Sequence, residues 1–467
     1  MTAAHEANSS RHSIPEAQRS ASDTPFPNVE RSQALYARAG NLIPGWTQLI
    51  SRRADQFANG VSPLYAQWAK GSRFIDLDEN EYIDWVNAVG AVILGHADPV
   101  VDGAVKAQID RGSIYTLNSP LEIELAEELV ATLPSAEMVR YTKGGGEACA
   151  VAARVARGTT GRDKILICGY HGWHDWYQAA NFGVDPTSGE YPFAGIEPIG
   201  VPKGLAGTVI PFVYGDLADL AARLEENQGE VAAIMMEPAR TQLPPPGYLE
   251  GVRALADRHA VLLIFDEVSC GWRQAIGGIQ EIAGVTPDMT VVAKAMSNGY
   301  PLGAVVGSRA VMEPAARMFI SSSYWSDNVG LVAGLTTIRE LKRRDGPARF
   351  DAIGEKLRVA LNQAFVAAGL GGQCVGLSSN PVVSIDTPPH VDARLIATLF
   401  IQEMARRRIH TYMAFKATLA HTDLDIEETA EAAAAAFGVI KRGLENDALD
   451  RLLVVDLKKE PFRRLVI

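Results

Sequence analysis

From about Val100 to Gly307 the chain alternates short apolar runs with segments of helical periodicity. In order these are "EMVRYT", a helix from Glu147 to Arg157, "KILIC", "VAAIMM", a helix from Tyr248 to His259, "AVLLIF" and "MTVVAK". That alternation predicts an α/β domain in which a mixed, mostly parallel sheet lies between helices. Before it, "GSRFIDLDENEYIDWV" reads as a hairpin around Asp78-Glu79-Asn80. After it, helical stretches at 329–343, 350–368, 391–408 and 426–443 flank the strand-like "PVVSIDT". Both chain ends are therefore expected to build one smaller α+β domain. The expected boundaries are a flexible tail over 1–28, the first part of the small domain over 29–85, the large domain over 86–315 and the rest of the small domain over 316–467. The runs "AVGAVIL" and "AVLLIF" have the length of buried strands, and no apolar run approaches the roughly 18 residues that span a bilayer.

With 467 residues, 47% of them hydrophobic and 21% charged, the chain can bury a large core. Its formal charge of −11 and the absence of a basic stripe argue against a nucleic-acid surface. The first residues lack the apolar stretch of a secretory signal, and their Ser, Ala, Pro and Asn content suggests a tail. Cys149, Cys168, Cys270 and Cys374 form no CxxC pair, so neither zinc nor a disulfide framework is indicated and a reducing cytoplasm fits best.

Lys294 follows an apolar strand and precedes the turn cluster Ser297-Asn298-Gly299-Tyr300-Pro301. A lysine there either snorkels to water or does chemistry, since losing its hydration is costly. Four segments upstream bear on the choice. In "TKGGGEACAVAARVAR" a strand runs through glycines into a helix, where unpaired N–H groups can seat a phosphate, although a plain strand-to-helix turn reads the same way. In "ICGYHGWHDWY" a strand ends at Tyr170-His171-Gly172, on the rim that carries ligands in open sheets. The spacing of His171 and His174 is irregular for zinc, and no metal is expected. "IMMEPAR" ends a strand at Glu237, and "LLIFDEVSCGWR" ends one at Asp266-Glu267, where a carboxylate after apolar residues needs a cation or a donor unless it merely caps a turn. A phosphate seat, an aromatic plate, a strand-end acid and a strand-end lysine are together what a phosphorylated pyridine aldehyde requires.

The chain resembles class III aminotransferases, the pyridoxal-phosphate-dependent enzymes of fold type I, and in particular the glutamate-1-semialdehyde aminomutase subgroup. The resemblance runs from about Arg31 through "NLIPGW", "LDENEYIDWV", "VILGHADPVV", "ARGTTGRDKI", "YHGWHD", "DEVSCGWR", "KAMSNGYPLGA" and "LAHTDLDIEET". It implies pyridoxal 5'-phosphate as cofactor and a homodimer with active sites at its interface. It implies that Lys294 is the Schiff-base lysine, that Asp266 partners the pyridine nitrogen, and that Tyr170 and Val268 cover the ring's two sides. Gly145 and Gly146 would hold the phosphate, His171 and Glu237 would lie beside the cofactor, and Ser323 would reach the phosphate of the neighbouring subunit. The chain departs from the family at Gly144 and Gly146, where many relatives carry a serine and a threonine, and at Ser269, where members often carry a glutamine. It departs again after Ile43-Pro44-Gly45, where the aminomutases' "NSPVR" is absent.

The expected activity is transfer of an amino group between a small amino donor and an aldehyde or ketone acceptor. A 1,2-aminomutase or a racemase on the same scaffold is the alternative. A non-enzymatic regulator is disfavoured because lysine and aspartate are both present and no DNA-binding module is attached. Arg240, Arg52 and Arg53 are candidates for gripping a substrate carboxylate, with solvated surface arginines the competing reading.

Overall fold

The computed structural model describes residues 24–183 and 197–459. Its large sheet has seven strands, β1 (Met138–Thr142), β2 (Lys164–Cys168), β3 (Val209–Pro211), β4 (Val231–Met236), β5 (Leu262–Asp266), β6 (Met289–Val292) and β7 (Gly303–Gly307). They lie in the order β1-β7-β6-β5-β4-β2-β3, and β7 alone runs antiparallel to both neighbours. The mixed, mostly parallel sheet expected from the sequence is thus present. Short β3, whose "VIP" carries little signal, escaped that reading.

Successive side chains of a strand point to opposite faces, and both faces here are buried. Ile165, Ile167, Ile264 and Val291 pack against Ala148, Val151, Ala152 and Val155 of the helix Gly145–Thr160. On the other face Leu166, Leu263 and Phe265 meet Leu249 and Val252 of the helix Tyr248–Arg258. The helix Asn328–Arg343 also buries Leu331, Leu335 and Ile338 against Val292, Ala304 and Val306 of this sheet. That helix, beyond the expected boundary at 315, spends its apolar face on the sheet.

The smaller unit is built from both chain ends. Phe57, Ala58, Ile83 and Trp85 share a core with the helices Gly346–Ala368, Ala393–Arg406 and Asp423–Glu445. The hairpin appears as Arg73–Asp76 and Glu81–Asp84, and the C-terminal strand Ile409–His410 adds to it in parallel. Of the expected tail, residues 1–23 lie outside the described residues. Residues 24–28 are part of the fold: Pro27 is buried, and the Arg406 guanidinium sits 4.4 Å from the centre of the Phe26 ring. Arg406, from the far end of the chain, supplies the partner that local composition could not reveal.

"AVGAVIL" is not a strand. Asn87 to Gly90 turn through positive φ, and the segment then crosses to the large domain. Its start is fixed by Trp85, whose ring stacks on His421 with centroids 3.8 Å apart and whose Nε1 donates to Thr429 Oγ1 at 2.8 Å. Thr418 N–H donates to His421 Nδ1 at 3.0 Å, which leaves Nε2–H to donate to the Asp84 carbonyl at 3.2 Å. Burial pushes this imidazole down to about 4. No helix among the described residues is long and apolar enough to cross a membrane.

Because the folded pKa of His421 lies below its unfolded value, the unfolded chain binds the extra proton between about pH 4 and 6.5, and stability falls as pH drops through that window. The full effect is about 3 kcal/mol. His421→Gln removes the titration, so the fall in thermal midpoint from pH 6.5 to 4.5, read by calorimetry, should be shallower than in the parent protein. Equal slopes in the two proteins would assign the acid sensitivity elsewhere.

Candidate active site

Strands β2, β4, β5 and β6 are parallel and β1 runs the same way, so their C-terminal ends share one edge of the sheet. Each delivers an expected residue there. β1 leads into Gly145 and Gly146, β2 into Tyr170 and His171, β4 into Glu237, β5 ends on Asp266, and β6 leads into Lys294. This is the rim at which open α/β sheets bind ligands.

Asp266 is 2% exposed. Its Oδ2 lies 2.7 Å from His171 Nδ1 and accepts from the Cys149 thiol at 3.3 Å, while Oδ1 accepts the N–H of Val268 at 3.0 Å. A carboxylate offers about four acceptor positions, so one stays open. Cys149, His171 and Asp266 present three possible metal-ligand atoms within 4.8 Å of one another. Burial, with the Asp266 carboxylate adding to it, pushes the Cys149 thiol well up, and a protonated thiol is a hydrogen-bond donor rather than a ligand. The trio reads as a hydrogen-bonded chain behind the carboxylate. His171 is fully buried, and its Nε2 has no hydrogen-bond partner among the described residues.

Tyr170 is half-buried and is fixed through its backbone: its N–H donates to Glu237 Oε2 at 3.0 Å. Glu237 is buried, and the guanidinium of Arg240 stands 3.8 Å from the same oxygen. Tyr177 meets Tyr170 edge to face, with centroids 6.1 Å apart.

Gly145 opens the sixteen-residue helix Gly145–Thr160, whose N-terminus receives no side-chain cap. Side chains are excluded here for packing reasons as well. A Cβ on Gly145 would stand 2.8 Å from Val268 Cγ1, and one on Gly172, where φ is 103°, would stand 2.5 Å from the Cα of Gly146. The helix start, Val268 and the loop carrying Tyr170 thus close on one another, leaving the backbone N–H groups as the polar surface. Uncapped N–H groups at a helix start favour an anion.

Lys294 begins a short 3₁₀ turn directly after β6 and has φ 42°, a conformation that side chains rarely adopt. Its Nζ donates to Ser269 Oγ at 2.8 Å. Sequence reasoning had marked Ser269 only as a departure from the family; its place three residues after Asp266, on the loop facing β6, is what aims it at the lysine. Asn298, expected only as part of the turn cluster after the lysine, does more. Its Oδ1 accepts the N–H groups of Ile93 and Leu94, both at 2.9 Å, and so ties the lysine's turn to the segment that crosses between domains. The asparagine in "KAMSNGYP" next to a glycine was the available signal.

Two groups of expected residues stand apart. Ser323 is exposed and makes none of the cluster's hydrogen bonds. Arg52 is exposed, and Arg53 packs over Gly45.

The arrangement offers a buried carboxylate, an aromatic ring, an anion seat and an amine at one edge. Residues 56–368 match the family model for Aminotransferase class-III. The chain is 33% identical over 430 residues to a 3-aminobutyryl-CoA aminotransferase of Cloacimonas acidaminovorans, spanning 89% of this chain and 99% of that protein. It is 36% identical over 440 residues to a glutamate-1-semialdehyde 2,1-aminomutase of Syntrophobacter fumaroxidans, spanning 88% and 98%. Among solved structures, a transaminase with PLP bound matches with a TM-score of 0.80 at 27% identity, covering 88% of this chain and 98% of that one. An omega-transaminase from Sphaerobacter thermophilus matches at 0.78 and 29%, covering 88% and 99%.

Proposed function

This chain belongs to the class-III aminotransferases, and from that premise we propose that the cluster at the sheet edge binds pyridoxal 5'-phosphate and moves an amino group from a small amino donor to an aldehyde or ketone acceptor in a ping-pong cycle. The observation that carries this reading is the pairing of an amine and a buried carboxylate, Lys294 and Asp266, at the ends of the neighbouring strands β6 and β5. When bound, the cofactor supplies an aldehyde that takes up the amino group and a cationic ring that draws electrons from the carbon bearing it.

The residues fit that group. The uncapped helix start would hold its phosphate through Gly145 and Gly146 and Tyr170 and Val268 would cover its ring, while Glu237 keeps the Tyr170 backbone in place. The open acceptor position of Asp266 would take the ring N–H, with His171 orienting the carboxylate from behind. Lys294 Nζ would be the amine that holds the cofactor's aldehyde carbon, with loss of water. When not so engaged, Nζ would hold or move a proton at the substrate, and the Ser269 hydroxyl, to which it donates at 2.8 Å, would keep it in reach.

A second copy of the chain completes the site in this reading. Ile114, Tyr115 and Leu117 are exposed, as are Phe319 and Tyr324, and the Asn328 N–H donating to the Ser113 carbonyl at 2.8 Å joins the two segments. An apolar patch of this kind suits a homodimer interface, and Ser323 lies within it, able to serve the other copy's phosphate. The four cysteines are buried and form no disulfide among the described residues, which suits a reducing cytoplasm.

The mutase alternative is favoured by the 36% identity to an aminomutase. It is disfavoured by the segment after Gly45. A mutase must retain its diamino intermediate between half-reactions, and the "NSPVR" of the resembling aminomutases is replaced here by "WTQLISRR".

Three outcomes test these readings. Lys294→Ala should lower turnover about a thousandfold or more, since it removes a covalent anchor and a general base together. Borohydride should fix the cofactor to the parent protein but not to this variant, as read by mass spectrometry, and near-normal turnover would sink the assignment. Glutamate-1-semialdehyde supplied alone to enzyme in its pyridoxamine form should give at most one turnover to 5-aminolevulinate, whereas sustained product would establish the mutase. Cofactor occupancy should fall on dilution through the dimer dissociation range. Sedimentation showing an active monomer would remove the shared-site reading.

A further inference from the structure

Of the two histidines in "YHGWHD", His171 is held by Asp266, and His174 has no part in the chemistry described so far. Local constraints fix its place. Gly172 takes φ 103°, and the loop then falls so close to the helix start that a Cβ on Gly172 would meet the Gly146 Cα at 2.5 Å. His174 directly precedes the helical turn Asp175–Gln178, and its carbonyl accepts the N–H groups of Tyr177 at 2.9 Å and Gln178 at 3.1 Å. The exposed Trp173 ring stacks on the imidazole, with centroids 4.6 Å apart and planes 22° from parallel. Gln178 Nε2 donates to the Trp173 carbonyl at 2.7 Å, which ties the backbone of this stack to the same turn.

One edge of the imidazole faces the anion seat. A Cβ on Gly146 would stand 3.4 Å from His174 Nδ1 and 3.5 Å from Cε1, as well as 3.2 Å from the Gly172 Cα. The space that a side chain at 146 would occupy is therefore taken by the histidine ring. Gly144, Gly145 and Gly146 bring no side-chain donor to the helix start, and no side chain caps it. The first N–H groups of a helix have no partner within it.

His174 Nδ1 is sealed from solvent and has no hydrogen-bond partner among the described residues. A buried polar atom of this kind costs free energy until a partner meets it. Two carboxylates act on the ring through space: Glu147, whose Oε2 accepts the Lys143 N–H at 2.7 Å, and Asp175, next in the chain. Burial outweighs both and holds the imidazole below its ordinary value, so at neutral pH it carries a single N–H, which Nδ1 can bear. A donor beside uncapped helix N–H groups suits an anion. A cation or an apolar group would leave all of these N–H groups unmet.

We propose that His174 is the side-chain donor of the cofactor's phosphate site, its Nδ1–H joining the backbone N–H groups of Gly145 and Gly146 on one phosphate group. The inference rests on the reading that pyridoxal 5'-phosphate occupies this edge, and it names a residue which that reading leaves out. The three glycines and the histidine are then one device. A helix start stripped of side chains admits the loop, and the loop returns the donor that the helix lacks.

The test measures binding and stands apart from turnover. The full-length chain, freed of cofactor, is titrated with pyridoxal 5'-phosphate, and occupancy is read from the quenching of tryptophan fluorescence. His174→Ala should raise the Kd about 10- to 100-fold, the loss expected for one hydrogen bond to a charged group. His174→Asn, whose amide nitrogen stands where Nδ1 does, should regain most of the affinity. Inorganic phosphate, supplied as a competitor, should compete more weakly in the Ala variant by a comparable factor. An Ala variant that binds the cofactor as the parent does, an Asn variant as weak as the Ala one, or unchanged competition by inorganic phosphate would each overturn the assignment of His174 while leaving the aminotransferase reading intact. A parent protein that takes up no pyridoxal 5'-phosphate would overturn that reading and this inference with it.

Discussion

A carboxylate at the end of a buried strand must find donors, and much of this molecule is arranged around the donors that Asp266 finds. His171 comes from the end of β2, Cys149 from the first turns of the helix after β1, and the Val268 amide from the loop that Asp266 itself begins. Satisfying one buried charge therefore docks the aromatic loop, the glycine-rich helix start and the strand-end turn onto one another. The close approaches of Gly145 to Val268 and of Gly172 to Gly146 are the steric side of the same convergence. What remains unfilled is one acceptor position and a set of backbone N–H groups, both directed to the rim.

The second constraint is conformational. Lys294, Asn298 and Trp272 have positive φ, as does the run from Asn87 to Gly90. These positions lie on the loops after β5 and β6 and on the segment joining the domains. Regular strands and helices carry the burial, and these loops carry irregular backbone at the edge of the sheet and at the crossing between domains. Trp85 and His421 hold the domain-joining segment at its start and Asn298 at its far end, so the seam between domains has its shape imposed from both sides.

Much of this was legible in the residues alone. The strands "KILIC" and "VAAIMM" lie where the apolar runs stand, and the helices Asn328–Arg343, Gly346–Ala368, Ala393–Arg406 and Asp423–Glu445 follow the periodic stretches within a few residues. Local patterning suffices for these elements because each is buried along a face that repeats with its own period. The ends of β2, β4, β5 and β6 were legible for a related reason: a polar residue directly after an apolar strand marks the rim.

The tertiary structure decided the rest. "AVGAVIL" has the composition of a strand, yet Asp84, Asn87 and the Lys416 carbonyl bend it into a left-handed turn, and those partners lie up to 329 residues apart in sequence. Phe26 and Pro27 read as tail because Arg406, which covers Phe26, belongs to the far end of the chain. Ser269 carries no motif of its own; only closure of the loop after β5 against β6 gives it something to face. The sequence by itself determined the periodic elements and the chemistry available at their ends. Which side chains meet across the seam was left to packing between distant segments, because such contacts depend on three-dimensional closure and leave no period in the chain.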